Sequence, residues 1–85
     1  MRADTLQTTH AFDNVVIPEY DIAAGALVRV RHGDAEIALH VLDDVPFGCL
    51  LAVRDIPRGH PIVRGGVQVG VAAAHIRAGQ RVDIR

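Results

Sequence analysis

The amino-acid sequence predicts a small all-β domain, and three observations lead to that prediction. The chain has 85 residues, of which 49% are hydrophobic and 22% charged, a balance typical of a folded globular protein. Its apolar segments are short and β-branched, with a turn signal at intervals of about ten residues. One turn signature also recurs four times. A chain of this size buries roughly 60–65% of its unfolded surface, enough for one modest core.

The recurring turn consists of a polar residue, a β-branched residue, two variable residues and a glycine. Its four copies are residues 21–25, 44–48, 55–59 and 75–79. Glycine in the fifth place suits a backbone with positive φ, and proline in the third place of two copies favours a type I or II turn. We expect the leading aspartate to accept hydrogen bonds from amides of its own turn. The irregular spacing of the copies excludes a solenoid.

Seven strands are predicted between these turns. They are residues 14–19, 27–31, 36–42, 50–54, 61–63, 67–71 and 81–85. Residues 28–31 and 81–85 alternate apolar and charged side chains, as half-buried strands do. Residues 32–34 read His-Gly-Asp and predict a hairpin turn. We expect residues 1–9 to form a loose N-terminal tail and residues 10–85 to form a single domain.

Composition excludes several classes of partner. The formal net charge is −1, no lysine is present, and the arginines are spread among acidic residues, which argues against nucleic-acid binding. The single cysteine, Cys49, cannot form an internal disulfide. No apolar run has the length of a signal peptide or a membrane span. We therefore expect a cytoplasmic protein with no membrane partner.

The order of the motifs resembles that of the SAF domain, which has a β-clip fold. The sequence Asp13-Asn14-Val15 is followed by the first turn, by Val45-Pro46-Phe47-Gly48 and by the two later turns. Over residues 10–85 this series is similar to the N-terminal module of altronate and galactarate dehydratases. That module is either fused to a larger catalytic domain or encoded as a small subunit, as in sulfolactate sulfo-lyase.

The resemblance implies a role in eliminating water or sulfite from a 2-hydroxy acid. The chain would be a small subunit or N-terminal domain of a sugar-acid dehydratase or lyase, not sufficient for activity alone. Its partners would be a large catalytic dehydratase-like subunit and a small sugar-acid substrate. A divalent metal, iron or manganese, is the cofactor that the resemblance suggests, and homo-oligomerisation stays open.

The sequence departs from the family pattern at two places. Cys49 and Leu50 occupy the positions of a His-Lys pair, and residues 81–85 replace a strand that contains His-x-His. These losses leave open an alternative function, a non-catalytic SAF-type binding or interaction module. A third alternative is a periplasmic carbohydrate-binding or chaperone-like SAF domain, which the lack of a signal segment disfavours.

The retained polar residues form the predicted site. His10 is the candidate catalytic residue, because histidine exchanges protons near neutral pH, although a solvated tail would explain it equally well. The candidates for binding the substrate carboxylate are Asp13, Asn14, Arg54 and Arg64. Cys49 is a candidate metal ligand, but a small buried apolar residue is the favoured interpretation.

The remaining polar motifs carry weaker predictions. The other histidines lack metal-binding spacing and are expected to be structural or solvated; they are His32, His40, His60 and His75. The pair Gly65-Gly66 fits either an anion-binding loop or a plain hairpin turn. The adjacent residues Asp43 and Asp44 would point to opposite faces of a strand, and one of them is needed for a turn, which argues against paired acid and base catalysis.

Overall fold

The computed structural model describes residues 5–84, and all its regular structure within that range is β. The strands are β1 (Thr5–Gln7), β2 (Val15–Val16), β3 (Leu27–His32), β4 (Ala35–His40), β5 (Leu50–Ala52), β6 (Pro61–Arg64), β7 (Val67–Val71) and β8 (Arg81–Val82). They form three small sheets with strand orders β1-β3-β4, β2-β5-β8 and β6-β7. The all-β prediction is confirmed. The described residues contain no helix that could span a membrane.

Two antiparallel hairpins, β3-β4 and β6-β7, occupy equivalent places in the fold. A turn of the recurring type precedes each hairpin and another follows it. The Gly25 N–H donates to the Val41 carbonyl at 2.7 Å, and the Gly59 N–H donates to the Ala72 carbonyl at 2.8 Å. The same bond thus closes the base of both hairpins. The two halves of the domain share the order turn, hairpin, turn, although only the second hairpin contains a β-bulge.

The first two turns are joined to each other through their aspartates. The Asp21 carboxylate accepts the Phe47 amide at 2.7 Å, and the Asp44 carboxylate accepts the Ala24 amide at 2.9 Å. Each aspartate therefore caps the fourth residue of the opposite turn, and the expectation that it bonds within its own turn was wrong. The fifth-place glycines all have positive φ, between 84° and 95°, as predicted.

The third and fourth turns are joined in the same way, but on one side only. The Asp55 carboxylate accepts the Ala78 amide at 2.8 Å, and Ile56 and Ile76 form the bridge between the turns. His75 stands where the other turns have aspartate, and its Nε2 lies 3.9 Å from the Asp55 carboxylate. The second pair of turns thus lacks the reciprocal carboxylate bond of the first pair.

The central sheet, β2-β5-β8, separates two hydrophobic clusters. The register pairs Val15 with Ala52 and Val16 with Leu51. Because neighbouring strand residues point to opposite faces, Val16 and Leu51 enter the first cluster while Val15 and Ala52 enter the second. All four side chains are buried. Each cluster also takes the inner face of one hairpin, so the short central strands tie both halves together.

The N-terminal segment differs from its prediction. Residues 5–9 were expected to be loose, yet β1 pairs in parallel with β3, and Leu6 is buried in the first cluster. A three-residue strand with one apolar side chain carries too little periodicity to be detected in sequence. Residues 1–4 of the predicted tail, and Arg85 of the predicted last strand, lie outside the described residues.

The predicted strand 14–19 is shorter in the structure. Pro18 lacks a backbone N–H and cannot continue a ladder, so β2 ends at Val16. The predicted hairpin turn at residues 32–34 is confirmed, since it joins β3 to β4.

Candidate functional site

Most of the predicted site residues meet around one loop, residues 8–14, which connects β1 to β2. His10, Asp13 and Asn14 belong to this loop. Arg64 lines a cleft with the Asp13 side of the loop, and Arg54 lines a second cleft with the Asn14 side. The sequence prediction therefore selected residues that the fold brings into one region.

Asp13 is the buried anchor of the loop. Its side chain is 1% exposed, and one carboxylate oxygen accepts the backbone amides of Thr9 and His10 at 3.1 and 3.2 Å. The same oxygen is 3.2 Å from the Thr9 hydroxyl, which donates to it. The other oxygen accepts the Gly66 amide at 2.8 Å. Both oxygens are thus engaged by the protein, and together they tie the loop to the turn between β6 and β7.

The pKa of Asp13 reflects two opposing effects. Burial raises the pKa of the carboxyl, while hydrogen bonds from the backbone amides of Gly66, Thr9, Gly65 and His10 lower it. The hydrogen bonds prevail, and the pKa lies below its ordinary value of 3.8. Asp13 is consequently ionised at neutral pH and accepts hydrogen bonds without donating any. Such a group is suited to holding a loop and unsuited to general acid catalysis.

Asn14 completes the attachment on the opposite side of the loop. Its side-chain oxygen accepts the Val63 amide at 2.8 Å, and its side-chain nitrogen donates to the Pro61 carbonyl at 2.9 Å. The Asn14 backbone amide also donates to the Val63 carbonyl at 3.1 Å. The residue therefore pairs with the outer edge of β6 as a short strand would. Adjacent Asp13 and Asn14 bind the two ends of the same hairpin.

His10 is exposed and lies on the turn between β6 and β7. A Cβ added at Gly66 would meet the His10 ring at 2.9 Å, so the imidazole packs directly on the glycine backbone. Its Nδ1 is 3.2 Å from the Thr9 hydroxyl. Only glycine at position 66 allows this close approach. The imidazole is thus placed by the loop at the surface of the domain, where it is exposed.

His32 connects Arg54 to the loop, a role that the sequence did not reveal. Its Nδ1 is 2.7 Å from the Thr8 hydroxyl, and its Nε2 is 2.9 Å from the Ala11 carbonyl and 3.0 Å from the Arg54 guanidinium. A protonated Nε2 donates to the carbonyl, whereas an unprotonated Nε2 accepts from the guanidinium. The position of this proton therefore selects which contact forms. The prediction of a structural histidine at this position agrees with these contacts.

Two open clefts flank the loop, each with one arginine. The Arg64 cleft, about 320 Å³, is lined by Thr9, Asp13 and Glu19 among others. The Arg54 cleft, about 510 Å³, includes Asn14, His60 and the exposed ring of Phe12.

Cys49 lies apart from the loop. It follows the second turn and packs, partly buried, against the first hydrophobic cluster. Leu50, the next residue, packs against the second cluster. Within residues 5–84 no group of three or more His, Cys, Asp or Glu side chains is arranged to hold a metal ion. The described part of this chain does not by itself fit the divalent metal that the resemblance suggested.

The remaining polar motifs serve the fold. The Asp43 carboxylate accepts the Arg81 amide at 3.0 Å, while Asp44 caps the first turn, so these adjacent acids point to different partners. The pair Gly65-Gly66 forms the turn of the second hairpin, and the Gly66 amide does bind an anion, the carboxylate of Asp13. The interpretation as a plain hairpin turn is therefore confirmed, and the Gly66 amide is used by a carboxylate of the chain itself.

Comparison with known proteins decides the family. The family described as the altronate/galactarate dehydratase SAF domain matches residues 5–85. The chain belongs to this family. The SAF domain is also 34% identical to the altronate dehydratase of Escherichia coli (strain K12) over 73 residues, which are 86% of this chain and 14% of that enzyme. The resemblance stated from the motifs is confirmed, together with the all-β fold of a compact β-clip.

Family membership makes this SAF domain a module related to sugar-acid dehydratases. It spans only 14% of the length of the E. coli enzyme. Most of the E. coli enzyme therefore lies outside the region that this SAF domain matches.

Proposed function

We propose that this SAF domain forms one wall of the active site of a sugar-acid dehydratase or related lyase. It would act as a small subunit or as the N-terminal domain of a longer chain, and a large dehydratase-like polypeptide would provide the other walls. The observation that carries the proposal is the exposed His10, held by Asp13 and Gly66 on a loop between two arginine-lined clefts.

The proposed reaction eliminates water, or sulfite, from a 2-hydroxy acid. Such an elimination needs a base for the carbon-bound proton and an acid or Lewis acid for the leaving group. An imidazole is a common proton carrier in enzymes, and the His10 imidazole is the one that the loop itself holds at the surface, on the Gly66 backbone. We therefore propose His10 as a proton carrier. The large polypeptide must supply the complementary groups, including ligands for any divalent metal.

The two arginines have the chemistry to bind the carboxylate of the substrate. A guanidinium binds a carboxylate through two parallel hydrogen bonds, and both Arg54 and Arg64 are exposed beside the loop. Asp13 and Asn14 were predicted to bind substrate as well. Because their side chains are occupied by backbone groups of the domain, we propose that they position His10 instead.

A chimeric enzyme tests this proposal. The segment of the E. coli altronate dehydratase that matches this chain would be replaced by residues 5–85, and elimination of water from altronate would be measured. We expect the chimera to be active and the same enzyme without the segment to be inactive. A folded chimera that is no more active than the truncated enzyme would refute a catalytic contribution from this SAF domain.

One observation favours a second candidate, a SAF module that has kept the fold and lost the chemistry. Cys49 and Leu50, at the positions where the family carries His-Lys, both pack against apolar clusters. The same chimera separates the candidates. If it is inactive and the paired substitutions Cys49→His and Leu50→Lys restore turnover, the non-catalytic function is correct.

A further inference from the structure

His32, the last residue of β3, stands between the loop of residues 8–14 and Arg54. Its ring is half-buried, whereas the Arg54 side chain is exposed and lines the Arg54 cleft. The Nε2 atom of His32 is 3.0 Å from the Arg54 guanidinium and 2.9 Å from the Ala11 carbonyl oxygen. A ring nitrogen donates a hydrogen bond when it carries a proton and accepts one when it does not. Nε2 therefore bonds to Ala11 in its protonated form and to Arg54 in its unprotonated form.

The other ring nitrogen decides which form the neutral imidazole adopts. Its Nδ1 is 2.7 Å from the Thr8 hydroxyl, and that hydroxyl donates to the Arg31 carbonyl at 3.5 Å. Because the Thr8 proton is used in this way, the Thr8 oxygen accepts a hydrogen bond from Nδ1. A neutral imidazole has one N–H, so Nε2 is then unprotonated and accepts from Arg54. Thr8 is buried, so water has little access to its hydroxyl group.

A second proton on the ring reverses the choice at Nε2. The imidazolium donates from Nδ1 to Thr8 and from Nε2 to Ala11, and it has no acceptor left for a guanidinium. It also repels Arg54, because the two groups then carry like charges 3.0 Å apart. The Arg54 side chain is exposed and free to turn into solvent.

Other charged groups do not take part in this contact. Among residues 5–84, Arg54 is the one charged group that hydrogen-bonds to His32. The nearby charged or titratable groups are His10 and Asp13 in the loop, Arg31, Asp34 and Glu36 in the first hairpin, and Asp55 and His60 in the Arg54 cleft.

We propose that His32 is a positioning residue, whose neutral ring holds the Arg54 guanidinium at the cleft and whose protonated ring releases it. The bond to Nε2 uses one of the five N–H donors of the guanidinium, so the others stay available to a carboxylate. The consequence for substrate binding rests on the proposed function. The contact between His32 and Arg54 does not, because it belongs to the folded domain itself.

Nitrogen-15 NMR of the 85-residue chain tests this contact. In the neutral ring of His32, Nδ1 should carry the proton and Nε2 should be unprotonated. The pH would then be lowered from about 8 to about 5, the range in which histidine changes charge. The Arg54 side-chain N–H resonance should move with the same midpoint as the His32 ring.

Two substitutions separate the roles of the two ring nitrogens. His32→Gln offers an amide oxygen in place of Nε2, so Arg54 should stay bound and its resonance should no longer follow pH. Thr8→Val removes the acceptor for Nδ1, so the neutral ring should carry its proton on Nε2, bond to Ala11 and release Arg54 at every pH. His60→Gln, in the same cleft, is the control and should leave the coupled titration of His32 and Arg54 in place.

The altronate dehydratase chimera tests the consequence for substrate binding. His32→Leu should raise KM by roughly 2- to 10-fold, the range for the loss of one hydrogen bond, while kcat changes little. His32→Gln should return KM to the value of the unsubstituted chimera. If NMR shows the contact and the chimera is inactive, the proposed function fails while the positioning of Arg54 by His32 stands.

Three results would overturn the proposal. The neutral ring of His32 could carry its proton on Nε2, or the Arg54 resonance could fail to follow the titration of His32. An unchanged KM in an active chimera with His32→Leu would show that the contact does not serve substrate binding.

Discussion

Asp13 and Asn14 are adjacent polar residues whose side chains bond mainly to the backbone of their own domain. The carboxylate of Asp13 gathers amides from the loop and from Gly66, and the amide of Asn14 pairs with Val63 and Pro61. The polar side chains of Asp13 and Asn14 therefore serve to hold the loop on the domain. The residue that these contacts leave exposed is His10.

Asp13→Asn should destabilise the domain by about 2 to 3 kcal/mol, because a buried amide cannot replace an ionised acceptor of several hydrogen bonds. The free energy of unfolding, measured with urea, checks this value. Asp34→Asn, in the exposed turn of the first hairpin, is the matched control and should change stability by less than about 0.5 kcal/mol. An equal effect of both substitutions would contradict the anchoring role of Asp13.

The pH dependence of stability should also report on Asp13. Its pKa in the folded chain lies below the ordinary value of 3.8, so the unfolded chain binds this proton more readily. The stabilisation is complete above pH 3.8 and is lost as pH falls through the folded pKa. Urea unfolding from about pH 7 to about pH 2 should show this loss in the wild type and a smaller loss in Asp13→Asn. Parallel curves would show that Asp13 does not titrate in this way.

At the scale of elements, the domain is assembled from turns that bind each other in pairs. Asp21 and Asp44 each accept a hydrogen bond from a backbone amide of the opposite turn. In the second pair Asp55 accepts such a bond, but position 75 is a histidine and has no carboxylate to accept the reciprocal one. Each pair brackets one hairpin. The repeated signature is thus the element that closes each half of the domain.

His75→Asp should restore the missing bond of the second turn pair. The new carboxylate would lie where it can accept the Arg58 amide, as Asp44 accepts the Ala24 amide. A gain of about 1 kcal/mol in the free energy of unfolding is expected from one such hydrogen bond. His60→Asp, on an exposed residue outside the pairing, should have no comparable effect. A loss of stability in His75→Asp would mean that repulsion from Asp55 outweighs the bond.

Gly79 should tolerate substitution far less than Gly25, although both occupy the fifth place of a turn with positive φ. A Cβ at Gly79 would collide with the His40 carbonyl oxygen, whereas a Cβ at Gly25 meets nothing. Gly25→Ala should cost about 1 to 2 kcal/mol from backbone strain alone, and Gly79→Ala clearly more. Thermal unfolding of the two variants measures the difference, and equal melting temperatures would exclude the collision.

The sequence predicted the turns and most strands, because glycine, proline and β-branched residues act locally. It did not predict which turns pair, since the bond from Asp21 to Phe47 spans the whole first hairpin. The contacts of His32 were missed for the same reason, and β1 was missed because a strand of three residues shows too little periodicity. The site residues were found through motif order, but whether Asp13 faces substrate or backbone depends on the distant Gly66.

On the scale of the whole molecule, two similar halves share a thin central sheet. Val15 and Val16 send side chains to opposite clusters, so the loop that precedes them is fixed to both halves. The clefts beside this loop are open, and no described residue closes over them. A domain of this construction can present a side chain precisely while leaving the rest of an active site to another polypeptide.

The most direct test of this account is the turnover number of the altronate dehydratase chimera with His10→Gln, compared with His40→Gln on the outer face of the first hairpin. The account predicts a fall in kcat of about 10²- to 10⁴-fold for His10→Gln, the range for loss of a general acid or base, and none for His40→Gln. Unchanged turnover in a folded His10→Gln chimera would contradict the assignment of His10 as the group that this domain contributes.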